Sequence, residues 1–205
     1  MGTFVNKAQS YNNEETIDDN ELIDRIKKGD NKAFDQIVSI YEKGVYRLCY
    51  RFFNDENDAM DATQEVFIKV YKALGSFEGR SSLKTWVYRI ASNTCITLAE
   101  KKKREKEGLL KTLIGWWSDR NSTTPEEEVL DQEHRSLTRE LVAKKVEQLP
   151  EAYRMPVILK DIEGLPLEKI AEILEVPLGT VKSRINRGRR ILQDSLQAFY
   201  YGRKR

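Results

Sequence analysis

The chain has 205 residues, enough for one large domain or two small ones. Charged residues make up 33% of it, yet the formal net charge is only +2, so bulk charge points to no partner. No signal-peptide pattern and no apolar run of membrane-span length is visible, which excludes direct membrane insertion by this stretch of chain.

The charges are unevenly placed. Residues 54–66 carry Asp55, Glu56, Asp58, Asp61 and Glu65 with no base, whereas 101–106 carry Lys101, Lys102, Lys103, Arg104 and Lys106. From Lys182 onward the only acid is Asp194, among many Lys and Arg. Such asymmetry predicts separate surfaces for a nucleic acid and for a cationic or protein partner. Cys49 and Cys95, the only cysteines, each fall on an apolar helical stripe and read as core thiols of a reduced, cytoplasmic protein. The single histidine, His134, stands in a polar stretch with no ligand set around it. No metal and no cofactor is expected.

In chain order, residues 1–20 are polar and read as a mobile extension. A first helix begins near Asp19 or Asn20, with Leu22, Ile23 and Ile26 apolar, and Gly29 ends it. Asp30 or Asn31 caps a core helix from Lys32 to Phe53, striped by Phe34, Ile37, Val38, Tyr41, Val45, Leu48, Cys49 and Phe52. Gly44 inside it costs about 1 kcal/mol relative to Ala. A third helix, from about Ala59 to Leu74, turns Ala62, Val66, Phe67, Val70 and Leu74 inward. Its outer face holds Asp58, Asp61 and Glu65, with Gln64 beside them. A solvated face whose acids favour the helix N-terminus is the plain reading of that cluster. A catalytic carboxylate pair would need an acid, metal or nucleophile partner that the neighbourhood lacks.

A loop with Phe77 and two glycines leads to Ser82, a cap for a long helix from Leu83 with Val87, Ile90, Ala91, Thr94 and Leu98 inward. An exposed Phe77 beside Trp86, Arg89 and Asn93 suits stacking on unpaired bases; packing of Phe77 and Trp86 at the core edge suits the pattern equally. Residues 107–135 show no steady period and read as a linker of roughly 30 residues, with an r.m.s. span of ~30 Å. Trp116 and Trp117 are too apolar for an idle linker and are expected to dock on something.

A second helical block begins near Ser136 with Leu137, Leu141, Val142, Val146 and Leu149. Pro150 starts the next helix, which contains Pro156 and buries Tyr153, Val157, Ile158 and Ile162. Then come two short helices around a tight break. Leu167, Ile170, Ala171 and Leu174 stripe the first, and Pro177 begins the second, whose inner face is Val181, Ile185, Gly188 and Leu192. Its outer face is Thr180, Ser183, Arg184 and Arg187, flanked by Lys182, Asn186, Arg189 and Arg190. This is a helix-turn-helix layout; an amphipathic hairpin with a solvated basic face is the bland alternative.

Two blocks carry a family resemblance. Asp58 to Asn93, DAMDATQEVFIKVYKALGSFEGRSSLKTWVYRIASN, resembles region 2 of bacterial RNA polymerase sigma factors of the extracytoplasmic-function group. Gln148 to Leu192, QLPEAYRMPVILKDIEGLPLEKIAEILEVPLGTVKSRINRGRRIL, resembles region 4. The resemblance implies an all-α fold of two small helical domains, a region 2 bundle (21–106) and a region 4 helix-turn-helix (136–205), joined by a flexible linker (107–135). It implies a dissociable subunit, not an enzyme, that binds core RNA polymerase and promoter DNA and directs initiation in an envelope or stress response. It reverses the plain reading of the acidic face, for Asp61, Gln64 and Glu65 match the surface that docks on the polymerase clamp. Phe77, Trp86, Arg89 and Asn93 match the part that opens the −10 element. Thr180, Lys182, Ser183, Arg184 and Arg187 match the helix entering the −35 major groove. An anti-sigma protein that masks these surfaces is also implied. Departures are few: Thr97 stands where many relatives have Asp, and Pro166 where a Ser cap is frequent. The rival without the resemblance is a stand-alone helix-turn-helix regulator.

Overall fold

A computed structural model describes residues 19–114 and 133–202, and among them every regular element is a helix. Residues 1–18, Trp116 and Trp117 with the rest of 115–132, and 203–205 lie outside the described residues, as does the side chain of His134.

The first four helices follow their capping residues. Helix α1 (Asp19–Lys27) buries Leu22 and Ile23 and ends before Gly29, whose φ is +90°. Asp30 caps α2 (Asn31–Phe53) by accepting from the Lys32 N–H at 3.0 Å. The Arg25 guanidinium, 2.8 Å away, holds the Asp30 carboxyl below its usual range. Helix α3 (Glu56–Leu74) starts three residues before its apolar pattern, because the Asp55 side chain accepts from the Asp58 N–H at 2.9 Å. Ser82 caps α4 (Leu83–Ile114), accepting from the Thr85 N–H at 3.2 Å. That helix runs on to Ile114, inside the stretch expected to be linker, because residues 100–114 are mostly good helix formers with Gly108 as the sole breaker.

Helices α2, α3 and α4 pack on one another around Ile37, Leu48, Phe52, Val66, Leu74 and Val87, all fully buried. Gly44 has a packing reason: a Cβ there would sit 2.6 Å from the Tyr88 hydroxyl of α4. Cys49 and Cys95 meet inside this bundle, both buried and unbridged, as expected of core thiols.

The second group is α5 (Glu133–Glu147), α6 (Glu151–Val157), α7 (Leu167–Leu174) and α8 (Leu178–Gly202). Pro156 sits inside α6, and directly beyond it the backbone widens over Ile158–Ile162, where the Glu163 N–H reaches the Ile158 carbonyl at 2.9 Å. A widened turn is one way a helix absorbs a missing N–H. Pro166 opens α7 with extended geometry, and Glu175 closes it in the left-handed region at φ 52°. Ile170 and Ile173 are the buried residues of α7; Leu167, Ala171 and Leu174, expected with Ile170 on the stripe, are half-buried. Val181, Ile185 and Gly188 bury the inner face of α8, as their spacing predicts.

The two groups share one apolar cluster, which runs without interruption from Leu22 to Ile185. Helix α7 lies along α4, and α5 and α6 pack near the C-terminal half of α2 or on α4. Gly188 tests this packing within the second group, since a Cβ there would fall 2.6 Å from Val157 Cγ2 and 3.4 Å from Tyr153 Cβ. We expect Gly188→Ala to lower stability by ~1–3 kcal/mol in urea unfolding, despite the better helix propensity of Ala. A gain of about 1 kcal/mol would instead mean that α6 yields freely.

Candidate nucleic-acid interface

The outer face of α8 is open. Lys182, Ser183, Asn186, Arg187 and Arg190 are exposed, and Thr180 and Arg184 are half-buried beside them. The Ser183 hydroxyl donates to the Thr180 carbonyl at 2.9 Å, which leaves its lone pairs outward as acceptors. Arg189 is engaged: its Nε donates to Asp161 Oδ2 at 3.0 Å, and the carboxylate raises the guanidinium's already high pKa. Lys182, Arg187 and Arg190 thus lie exposed on the outer side of α8 over about two turns of helix. Guanidinium and ammonium groups so placed can pair with guanine edges or with phosphates.

A second surface lies on α3. Asp61 and Gln64 are exposed, and Glu65 pairs with Lys69 at 3.4 Å across one turn. Asp58 turns from this face to the Lys102 ammonium of α4. Exposed apolar side chains interrupt the acids: Met60, Ile68 and Tyr71 on the same helix are 42–53% exposed.

The loop ahead of α4 differs from one expectation. Phe77 is not an exposed aromatic; it is 7% exposed and meets Trp86 edge-on with ring centroids 5.1 Å apart. Lys27 Nζ donates to its carbonyl at 3.2 Å, tying the loop to α1. The apolar ring has found a pocket between loop and helix, which an isolated loop aromatic gains more from than from water. Trp86 is half-buried, Asn93 is exposed, and Arg89 is half-buried and paired. Its Nη1 donates to Glu175 Oε1 at 2.9 Å, and its Nε is buried without a partner.

Several residues at the seam between the two helical groups have no signal in the sequence. Arg154 on α6 is 9% exposed; its Nε and Nη2 donate to the Leu149 carbonyl at 3.1 and 2.8 Å, and its Nη1 to the Phe52 carbonyl at 3.3 Å. The guanidinium stands 4.7 Å over the Phe52 ring, and burial pulls its pKa down without removing its charge. Arg51 pairs with Glu163, and Asn54 reaches Glu147 at 3.5 Å. A cavity of about 370 Å³ opens beside them, lined by Arg47, Lys84, Tyr88, Glu163, Lys169 and Ile173 among others. In the core behind, Cys95 donates to Cys49 at 3.6 Å; that bond and burial push the Cys95 thiol well above its usual range. Among the residues described, no group of three or more His, Cys, Asp or Glu side chains is arranged to hold a metal.

Comparison with known proteins gives two family matches in the order of the two groups: Sigma-70 region 2 over residues 37–105 and Sigma-70 region 4 over residues 139–192. The chain is 38% identical to the ECF RNA polymerase sigma factor SigW of Bacillus subtilis over 186 residues, covering 85% of this chain and 95% of that one. It is 36% identical to the ECF RNA polymerase sigma-E factor of Escherichia coli over 198 residues, covering 89% and 96%. Among solved structures, the sigma factor RpoE of Bartonella quintana, in complex with the anti-sigma factor NepR, matches with a TM-score of 0.57 at 25% identity. That match covers 81% of this chain and 98% of the other.

The position of Phe77 has a measurable consequence. Phe77→Ala is expected to cost ~3–5 kcal/mol of stability in denaturant unfolding, the range of a buried aromatic. A loss below ~1 kcal/mol would mean that the ring is available to a ligand and not committed to the core.

Proposed function

The chain belongs to the ECF group of RNA polymerase sigma factors, and from that premise we propose how its surfaces divide the work of promoter-specific initiation. Residues 21–106 act as region 2 and 136–205 as region 4, with the stretch between them as connector. The observation that carries this reading is the coexistence of an exposed Asp61–Gln64 face on α3 with an exposed Lys182–Ser183–Arg187 face on α8. The first has the charge to meet a basic surface of core polymerase; the second has the donors to read duplex DNA.

On this reading Asp61, Gln64 and Glu65 dock on the polymerase. Thr180, Lys182, Ser183, Arg184 and Arg187 enter the −35 major groove. Trp86, Arg89 and Asn93 meet the −10 element as it opens, where the indole stacks on an unpaired base and the amide and guanidinium grip its edge and phosphate. Phe77 braces Trp86 from below in place of stacking on a base itself, a reading supported by their edge-on contact. No covalent step belongs to this chain; the polymerase supplies the active site. The partners are core RNA polymerase, promoter DNA and an anti-sigma protein, in the cytoplasm, in an envelope or stress response. No helix among the described residues is long and apolar enough to cross a membrane.

Run-off transcription with core polymerase on genomic fragments tests the reading, and initiation from a shared two-part motif is the expected result. A two-fold palindromic footprint without any effect on polymerase would point to a stand-alone regulator instead. Arg187→Ala is expected to weaken −35 binding by ~1–3 kcal/mol and to relax preference at one position. Equal loss on every −35 sequence would limit it to a phosphate contact. Asn93→Ala is expected to reduce open-complex yield, read by permanganate reactivity, with duplex binding kept. Unchanged yield would remove it from the melting surface.

A further inference from the structure

Two thiols meet in the middle of the first helical group and take no part in the surfaces assigned to polymerase or DNA. Cys49 on α2 and Cys95 on α4 are the only cysteines of the chain, and both are fully buried. They are 46 residues apart in sequence, yet their sulfurs stand 3.6 Å from each other, with Cys95 donating. The two helices approach closely along this stretch: at Gly44, on the same helix as Cys49, a Cβ would fall 2.6 Å from the Tyr88 hydroxyl of α4. A disulfide holds its sulfurs at ~2.05 Å, so these two have ~1.5 Å left to travel. Side-chain rotation with a small helix shift covers that distance.

We propose that Cys49 and Cys95 form an oxidative modification site, joined by a reversible disulfide when hydrogen peroxide reaches the core, and that this bond protects the first helical group from irreversible oxidation. The two thiols have different parts. The hydrogen bond from Cys95 pulls the Cys49 thiol below its usual range against the effect of burial, while the same bond and burial push Cys95 up. Cys49 is therefore the sulfur that attacks as thiolate, and Cys95 the one that resolves. In the first step the Cys49 sulfur forms a bond to one peroxide oxygen, the O–O bond breaks, and the departing hydroxide takes the thiol proton to leave as water. In the second, the Cys95 sulfur attacks the Cys49 sulfenic acid, the S–S bond forms, the S–O bond breaks, and the hydroxyl leaves as water with the Cys95 proton. Two thiols lose two electrons and two protons, and one peroxide becomes two waters.

The contact between the sulfurs decides what oxidation does to the bundle. A sulfenic acid with no thiol in reach goes on to sulfinic and sulfonic acid, which puts an anion into a core built of Val45, Leu48, Phe52 and Val66. The disulfide carries no charge, keeps both sulfurs inside, and closes a long loop of the unfolded chain, so the same oxidant makes the bundle firmer. Full burial limits the reaction to a small, uncharged oxidant that enters when the helices part briefly. A reducing compartment then returns the pair to thiols.

The test treats the free full-length chain with hydrogen peroxide, unfolds it in N-ethylmaleimide to block the remaining thiols, and maps its peptides by mass spectrometry without reductant. A Cys49–Cys95 cross-link within monomeric protein is expected, lost on adding dithiothreitol, with a thermal midpoint raised by ~8 °C or more over the reduced chain. Cys95→Ala is expected instead to accumulate sulfinic and sulfonic acid at Cys49 and to lose its cooperative thermal transition as peroxide increases. Cys49→Ala is expected to oxidise several-fold more slowly, because burial still holds Cys95 as the thiol. Maleimide on both cysteines, at a peroxide dose that oxidises the unfolded chain, overturns the proposal. So does a cross-link found only between chains, a lowered midpoint in the cross-linked chain, or equal overoxidation of Cys49 with and without Cys95. Neither polymerase nor DNA enters these measurements, so their outcome is independent of the promoter reading.

Discussion

A buried guanidinium joins the two halves of this molecule. Among the described residues no carboxylate is bonded to Arg154; its guanidinium makes three hydrogen bonds to backbone carbonyls, two to Leu149 in its own group and one to Phe52 in the other. Arg is suited to this place because its charge survives burial and its planar fork can serve two carbonyls while lying flat on a ring. The carbonyls of the last turn of α2 are left without intrahelical partners, and Asn54, in the left-handed region, closes only part of that account. The chain end of α2, the corner at Leu149–Pro150 and the start of α6 are thereby registered on one another. Around that point Arg51–Glu163 and the apolar seam of α7 on α4 follow from geometry already set.

The same registration accounts for what the proposed readers can do in the free chain. The stripe on α8 is made of side chains whose partners, where they have any, lie on the same helix or on Asp161; nothing from the first group covers it. The α4 surface is less free. Trp86 is propped by Phe77, and Arg89 is held by Glu175. On the proposed assignment the duplex-reading face of α8 is therefore open in this structure, whereas Arg89 on the α4 face is engaged by the second group.

Much of this was legible along the chain, for identifiable reasons. The stripe of α2 spans about five turns, so its period could not be mistaken, and Asp30, Ser82 and Gly29 mark their boundaries by chemistry that acts within three residues. The face of α8 was legible because Val181, Ile185 and Gly188 fix which side is inward, leaving the cations no alternative. Whether Phe77 is exposed or packed at the core edge is not decided along the chain, for the opposite reason: a lone aromatic in a glycine-containing loop has no period, and its pocket is built by Trp86 and a Lys27 contact fifty residues away. Arg154, Glu163 and Glu175 were invisible for the same reason. Each is one charged residue in a polar or mixed setting, and its meaning comes from a partner on the other half of the chain. The far end of α4 was missed because apolar periodicity ends where the lysines begin, while helix propensity carries the backbone on to Ile114.

The proposed division of work rests on two exposed faces, the Asp61–Gln64 face of α3 for core polymerase and the Lys182–Ser183–Arg187 face of α8 for duplex DNA. Hydrogen–deuterium exchange read by mass spectrometry follows α3 and α8 in the free full-length chain, with core polymerase, and in the complete assembly with promoter DNA. Protection of α3 is expected on adding core polymerase, and further protection of α8 on adding promoter DNA. Unchanged exchange of either helix at its own step would contradict the assignment.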